Sequence, residues 1–343
     1  MKTFHAPGDA QHAPRFFLMR GAVRPNFEVP ARAEALRSGL AALGLAPEVA
    51  ARAPRDALEA VHSAAYLDFL QGVHAAWQRL GGAGPEVVAN IHPAPEMAAQ
   101  GAAPGGLIGQ VGWYTADTAC PIGAGTWAAS VDAAGCALAA AEAVLAGGSA
   151  YALCRPPGHH AYSARAGGHC YLNNAAVAVE ALLRGGAARV AVLDIDSHHG
   201  NGTQGIFWER PDVLTVSVHG DPDGYYPWYV GRAHERGGGS GEGFNVNLPV
   251  AVGSDDGPWL EAVSAGISRV DTFAPDALVV SLGFDASVHE PLNALGVSDE
   301  GFARAGGLIA GLRVPVVFVQ EGGYAVDHLG DLLARFLGGF LGR

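Results

Sequence analysis

The sequence predicts an α/β fold: a single domain with a central parallel β-sheet sandwiched between helix layers. Three observations carry that expectation. Short, wholly apolar runs such as Val190-Ala191-Val192-Leu193 read as strands buried on both faces, the signature of a parallel sheet. In the second half of the chain such runs alternate with helical stretches, which implies right-handed βαβ crossovers. No internal repeat or low-complexity linker divides the 343 residues, and a hydrophobic fraction of 49% is ample for one large core.

In chain order, residues 3–5 read as a short strand followed by a proline-rich loop to residue 30. Helices are expected over 30–43 and 58–77, separated by the break Arg52-Ala53-Pro54. From 81 to 124, Gly and Pro recur with little periodicity. A loop that long inside a compact domain serves function or assembly. Residues 126–146 predict an Ala-rich helix capped by Thr126 and ended by Gly147-Gly148. Strands are then expected at 150–154, 190–194, 213–218, 277–282 and 314–320, and helices at 174–183, 259–273, 299–312 and 328–336.

A net charge of -12 argues against nucleic-acid or anionic-membrane partners, which need basic surface, and favours a cationic ligand. There is no signal-peptide pattern at the N-terminus and no apolar stretch of membrane-spanning length. Cys120, Cys136, Cys154 and Cys170 lack C-x-x-C spacing and read as reduced thiols of a cytoplasmic protein.

Parallel α/β sheets bind ligands at the carboxyl ends of their strands, and polar residues gather at five such ends here. If extension continues past Leu193, Asp194, Asp196 and His198 project from one face and Ile195 from the other, before a turn at Gly200-Asn201-Gly202. Two carboxylates and an imidazole converging there call for a divalent metal, since unpaired buried carboxylates cost several kcal/mol each. Taken alone, the triplet could equally be a polar strand end capping a helix. Asp285, after another strand, supplies a third ligand and leaves a coordination position open, as in catalytic zinc sites. Such oxygen-rich ligation also suits Fe(II), Co(II) or Mn(II). Asp285 alone could be a helix N-cap.

His159-His160 follow the rigid Pro156-Pro157-Gly158. Such a pair could be merely structural; beside a metal-activated water it reads as general acid/base machinery. Asp194 could orient one ring and Asn201 the other. An imidazole on a neutral amide stays a free base more easily than one on a carboxylate, so His160 is the expected base and His159 leans cationic. In Glu321-Gly322-Gly323-Tyr324, the glycines permit close approach to the metal, and the phenol could serve an oxyanion hole or simply close an aromatic lid.

R-P-P-G-H-H, G-G-x-C-Y-L-N-N, D-x-D-x-H-H-G-N-G, S-L-G-F-D and E-G-G-Y, in this order, resemble the zinc-dependent histone deacetylase superfamily with its arginase/deacetylase fold. Asn201 and the long 81–124 segment are most similar to the acetylpolyamine amidohydrolase branch. That branch dimerises through such an insertion, which narrows the active-site entrance. The resemblance implies Asp196, His198 and Asp285 as zinc ligands, His159 and His160 as the tandem histidines, and Tyr324 as the carbonyl-polarising tyrosine. It implies Arg32 in an internal channel, and a potassium ion at Asp194, Asp196, His198, Ser217 and Val218. The substrate tunnel would be walled by Gly168, His169, Tyr226 and Leu292. His169, where the family usually has Phe or Tyr, makes one wall more polar. Related ureohydrolases hold two manganese ions with a D-x-D pair; Asp285-Ala286-Ser287 offers one carboxylate, which supports a mononuclear centre.

The expected activity is deacetylation of N-acetylated alkyl amines, acetylpolyamines foremost, by a homodimer. Residues 98–115 contain none of the acidic side chains that polyamine-preferring members place on the entrance loop, leaving Glu86, Glu96 and Asp117 as candidates. Acetyl-lysine in proteins, or another short-acyl amide, is therefore the alternative substrate. A non-catalytic acyl-amine binder predicts a missing ligand or histidine, and none is missing.

Overall fold

The structure, a computed structural model, describes residues 1–292 and 294–343. Its strands are β1 (Lys2–His5), β2 (Phe16–Met19), β3 (Ala22–Pro25), β4 (Glu48–Val49), β5 (Ser149–Ala152), β6 (Val190–Asp194), β7 (Val213–Gly220), β8 (Asn245–Val250), β9 (Ala277–Leu282) and β10 (Val316–Gln320). Eight form one sheet in the order β4-β1-β5-β10-β9-β6-β7-β8, with every neighbouring pair parallel. β2 and β3 make a separate antiparallel hairpin. The helices are α1 (Ala31–Ala42), α2 (Arg55–Glu59), α3 (Ala64–Trp77), α4 (Pro95–Gln100), α5 (Leu107–Tyr114), α6 (Thr126–Leu145), α7 (Asn174–Arg184), α8 (Asn201–Phe207), α9 (Asp256–Phe273), α10 (Asp299–Ala310) and α11 (Val326–Leu341).

Alternation along the central strands explains why they are apolar throughout. Val190, Val192, Val279 and Val317 pack on one side with residues of α3, α6 and α7. Ala191, Leu193, Leu278, Val280 and Phe318 pack on the other with α1, α9, α10 and α11. β6, β9 and β10 are buried at every residue, so each needs apolar side chains on both faces. This is the α/β architecture, a parallel sheet between helix layers, that the sequence predicts.

The differences are local. Extension stops at Asp194, and Asn201 opens α8 where a turn was expected. The helix expected over 58–77 is broken, and α3 begins afresh where Ser63 Oγ accepts from Tyr66 N at 3.3 Å. Thr126 does not cap α6: the cap position is Gly125, and Thr126 Oγ1 accepts from Gly123 N at 2.8 Å. The 81–124 segment holds α4 and α5 and is closed by the Val87↔Ile122 bridge. β8 carries the polar alternation Asn245, Asn247 and escapes an apolar-run criterion; both amides bond Gln204 Oε1 at 2.9 Å. One helix, α6, is after all long and apolar enough to cross a bilayer, but it is mostly buried inside the fold, where its Ala-rich surface packs on the sheet.

Candidate active site

β6 and β9 are neighbours, with Asp194 opposite Ser281, so the segments leaving their carboxyl ends meet. Beyond Asp194 the chain bends rather than extends, yet Asp196 and His198 still converge on Asp285. The candidate ligand atoms of these three buried residues lie within 4.8 Å of one another. His198 Nδ1 is 3.1 Å from both Asp196 Oδ1 and Asp285 Oδ2. Backbone donors fix the carboxylates: His198 N and Gly322 N on Asp196, each at 2.9 Å, and Ser197 N on Asp285 at 2.8 Å. A Cβ at Gly322 would collide with both aspartates, so only glycine lets this loop come so close.

Two fully buried carboxylates side by side require positive charge. Burial disfavours a proton on His198, yet Asp285 and Asp196 outweigh it and raise its pKa to about 9. A divalent ion with nitrogen and oxygen ligands answers the same demand, so these residues fit a metal. Burial likewise raises Asp285, helped by the charge on Asp196.

Beside this cluster the rings of His159 and His160 sit 4.0 Å apart. His159 Nδ1 meets Asp194 Oδ2 at 2.9 Å, and His160 Nδ1 meets Asn201 Oδ1 at 2.6 Å. Each contact places a proton on Nδ1 and leaves Nε2 for the centre, His159 Nε2 being 3.8 Å from Asp196 Oδ1. The two rings differ in charge preference. Burial alone would deprotonate both. At His159 the carboxylates of Asp194 and Asp196 reverse this and raise the pKa well above its ordinary value. At His160, burial and then the charges of His159 and His198 drive it well below.

Tyr324 is buried, with the Arg32 guanidinium 4.8 Å from its ring centroid. Arg32 itself is fully buried, donating to Gly323 O and Glu321 O at 2.6 Å and to Glu28 Oε1 at 2.8 Å. The His169 ring meets the Tyr324 ring edge-on at 5.8 Å, and its buried Nδ1 has no partner. Burial lowers its pKa to about 4, so the ring is neutral at pH 7. Tyr226 stands edge-on to His160 at 4.9 Å. Gly168 has φ +52, and a Cβ there would strike the His160 ring. Leu292 is half-buried and meets this region through its carbonyl, which accepts from Tyr225 Oη at 3.3 Å.

Of the acidic residues Glu86, Glu96 and Asp117, Asp117 alone touches the residues expected to wall a tunnel, accepting from Tyr226 Oη at 2.6 Å and Gly168 N at 3.0 Å. Glu86 is buried on Arg15 N at 2.9 Å, and Glu96 is exposed on α4. Asp194 and Ser217 face each other across β6 and β7 and line a cavity of about 10 Å³, the size of one water, whose walls also include Val192 and Val216. Asp196, His198 and Val218 do not line it.

Several residues escaped sequence reasoning. Tyr225 stacks on His198 with ring centroids 4.5 Å apart. Glu321 Oε2 accepts from Gly158 N at 2.6 Å and His159 N at 3.0 Å, fixing the histidine loop, and burial raises its pKa to about 7. Glu28 joins Arg32 to Arg155, 2.9 Å from Arg155 Nη2. The one available signal was a glutamate at a strand end, which nothing local satisfies.

Residues 26–340 match the family model described as histone deacetylase domain. The acetylpolyamine amidohydrolase of Burkholderia pseudomallei is 46% identical over 345 residues, 99% of this chain and 98% of that protein. Acetylpolyamine amidohydrolase 1 of Pseudomonas aeruginosa is 45% identical over 327 residues, 95% and 94% of the two chains. A crystal structure of an acetylpolyamine aminohydrolase from Burkholderia pseudomallei superposes with a TM-score of 0.94 at 45% identity, covering 99% of this chain and 98% of that one. The chain belongs to the histone deacetylase family, as a hydrolase acting on acetylated amines.

Proposed function

We propose that the protein is a mononuclear, metal-dependent deacetylase of acetylpolyamines such as acetylputrescine, acetylcadaverine and acetylspermidine. One observation carries the chemistry: three ligand atoms within 4.8 Å, flanked by two histidines of opposite charge preference. The relatives named above supply the substrate class. Asp196, His198 and Asp285 would hold the ion, zinc foremost with Fe(II), Co(II) or Mn(II) as alternatives; bound there, it would polarise the amide carbonyl and acidify water. His160, its Nδ1 proton committed to Asn201, takes the proton of the attacking water on Nε2. His159, kept cationic by Asp194, gives a proton to the leaving amine, or His160 returns the one it took. Tyr324 donates its phenol to the oxygen on which charge develops. Potassium at Asp194 and Ser217, with backbone carbonyls of Asp196, His198 and Val218, would complete the wall behind the site.

The chain is one domain whose 81–124 insertion joins two copies and narrows the mouth between Gly168, His169, Tyr226 and Leu292. Exposed Ile91 and Met97 on that insertion are the expected contacts. The second reading, acetyl-lysine in peptides, is favoured by Asp117: both Tyr226 and Gly168 occupy its Oδ2, so it is poorly free to read a substrate ammonium. Measuring kcat/KM for acetylputrescine, acetylspermidine and an acetyl-lysine peptide separates the two. Preference for the peptide would replace the polyamine reading.

A further inference from the structure

We infer that Glu290 is a positioning residue for Tyr324, a role that rests on reading this site as a deacetylase. Glu290 is 4% exposed. Its two carboxylate oxygens accept from Tyr324 N at 2.9 and 3.0 Å, and one of them also accepts from Ala325 N at 3.3 Å. These donors open α11, whose own cap residue, Ala325, contributes no side-chain bond. Acceptor oxygens suit that helix end, whose first N–H groups have no partner within the helix, and here they come from a loop 34 residues upstream.

The need for such a grip lies in Gly322-Gly323. The glycines that let the loop approach the aspartates leave no side chain to fix the backbone before Tyr324, and Gly323 has φ +116. Arg32 holds this hinge on one side through Gly323 O; Glu290 holds it on the other through Tyr324 N. The loop bearing Glu290 is itself tied down, with Glu290 N on Ser287 O at 3.1 Å and Val297 N on Ala286 O at 2.9 Å. It begins at Asp285, so four residues separate a candidate metal ligand from the clamp on the phenol. Next to the clamp, His289 stacks on His328 with centroids 3.8 Å apart, a second contact between the same two segments. Losing the carboxylate frees the hinge, and a displacement of the phenol by about 1 Å is enough to cost about 100-fold in rate.

The test compares Glu290→Ala, Glu290→Gln and Glu290→Asp, alone and with Tyr324→Phe, on acetylputrescine and an acetyl-lysine peptide. Glu290→Ala is expected to lower kcat about 10- to 100-fold with little change in KM, and Glu290→Asp to restore part of it. Glu290→Gln, matched in size, keeps the comparison open if the alanine variant folds poorly. In the Tyr324→Phe background, removing Glu290 should add almost nothing, because its effect passes through the phenol. Losses that multiply, or an unchanged kcat, overturn the inference. An activity-independent readout is fluorotyrosine NMR: the resonance absent from Tyr324→Phe identifies Tyr324, and it should shift in Glu290→Gln. An unmoved resonance overturns the clamp. Wild-type protein inactive on every acetylated amine, with that resonance still moving, would overturn the deacetylase reading and leave the clamp standing.

Discussion

The carboxyl edge of the sheet and the 81–124 segment are built on opposite terms. At the edge, Asp194, Asp196, Asp285, His159, His160 and Glu321 are all buried, and each is held by a named donor or acceptor. Along 81–124, Ile91, in the loop before α4, and Met97, on α4, face solvent at 61% and 57% exposure. Geometry good enough for chemistry is over-determined by the strands that deliver it, whereas in the proposed reading selectivity falls to a segment that a second copy would complete. Chemistry and substrate choice should therefore respond to different mutations.

The largest effect belongs to the edge. Asp196→Ala removes a candidate ligand and the acceptor for Gly322 N and His198 N. Turnover should fall to background and bound metal should be lost, as read by metal analysis of the purified variant. A variant that kept both a full complement of metal and normal turnover would dissolve the contrast drawn here.

Asn201→Asp sharpens the comparison within the histidine pair. It sets a carboxylate against His160 Nδ1, giving both rings the environment that only His159 has now. Burial and neighbouring positive charge hold His160 below its ordinary pKa; an adjacent carboxylate opposes them and favours the imidazolium. The free base then survives only at higher pH. The acidic limb of the kcat/KM profile should move upward by about 1–3 units, the range for an opposite charge at contact distance. A profile unchanged in shape and position would remove His160 from the base role.

The same reasoning reaches stability. Burial lowers His62 and His219 to about 4, so each folds neutral. Between about 6.5 and 4 the unfolded chain binds protons that the folded one refuses, and stability falls as pH drops through that window. Each ring contributes a slope of at most about 1.4 kcal/mol per pH unit. Denaturant midpoints at pH 7 and pH 5 should differ in that direction, and His62→Gln should reduce the difference. Its ring acts as an acceptor for Asn173 N at 2.9 Å, which Gln can replace without taking up a proton.

Much of the edge was legible because its chemistry is written in contiguous stretches. Asp194 through Asn201 carries two candidate ligands and both histidine partners, and a wholly apolar run before it announces a buried strand. Asp196 and His198 meet despite the bend after Asp194, since the backbone N–H groups of Gly322 and His198 place the carboxylate whatever the strand does. Glu28, Glu290 and Tyr225 were not legible. Each acts on a residue distant in sequence, as Glu290 does on Tyr324, and a buried glutamate looks like any other until its donors are seen. β8 was missed for a related reason: its inward asparagines satisfy one another through Gln204 and leave no apolar run to read.

The smallest effect on turnover belongs to the other side of the comparison. If Ile91 and Met97 are covered by a second copy, Ile91→Asp with Met97→Asp places charge in an apolar contact, where burial of unpaired carboxylates is opposed by several kcal/mol. Sedimentation should then report monomers where the unaltered protein gives dimers, with kcat nearly unchanged because no group at the strand ends has moved. Substrate choice should relax: a mouth no longer narrowed by the partner admits an acetyl-lysine peptide more readily, so the ratio of kcat/KM for acetylputrescine over the peptide falls. Unaltered protein that sediments as a monomer would assign the exposed residues no such role. Dissociation that left the ratio unchanged would separate assembly from selectivity and return substrate choice to Asp117, His169 and Tyr226.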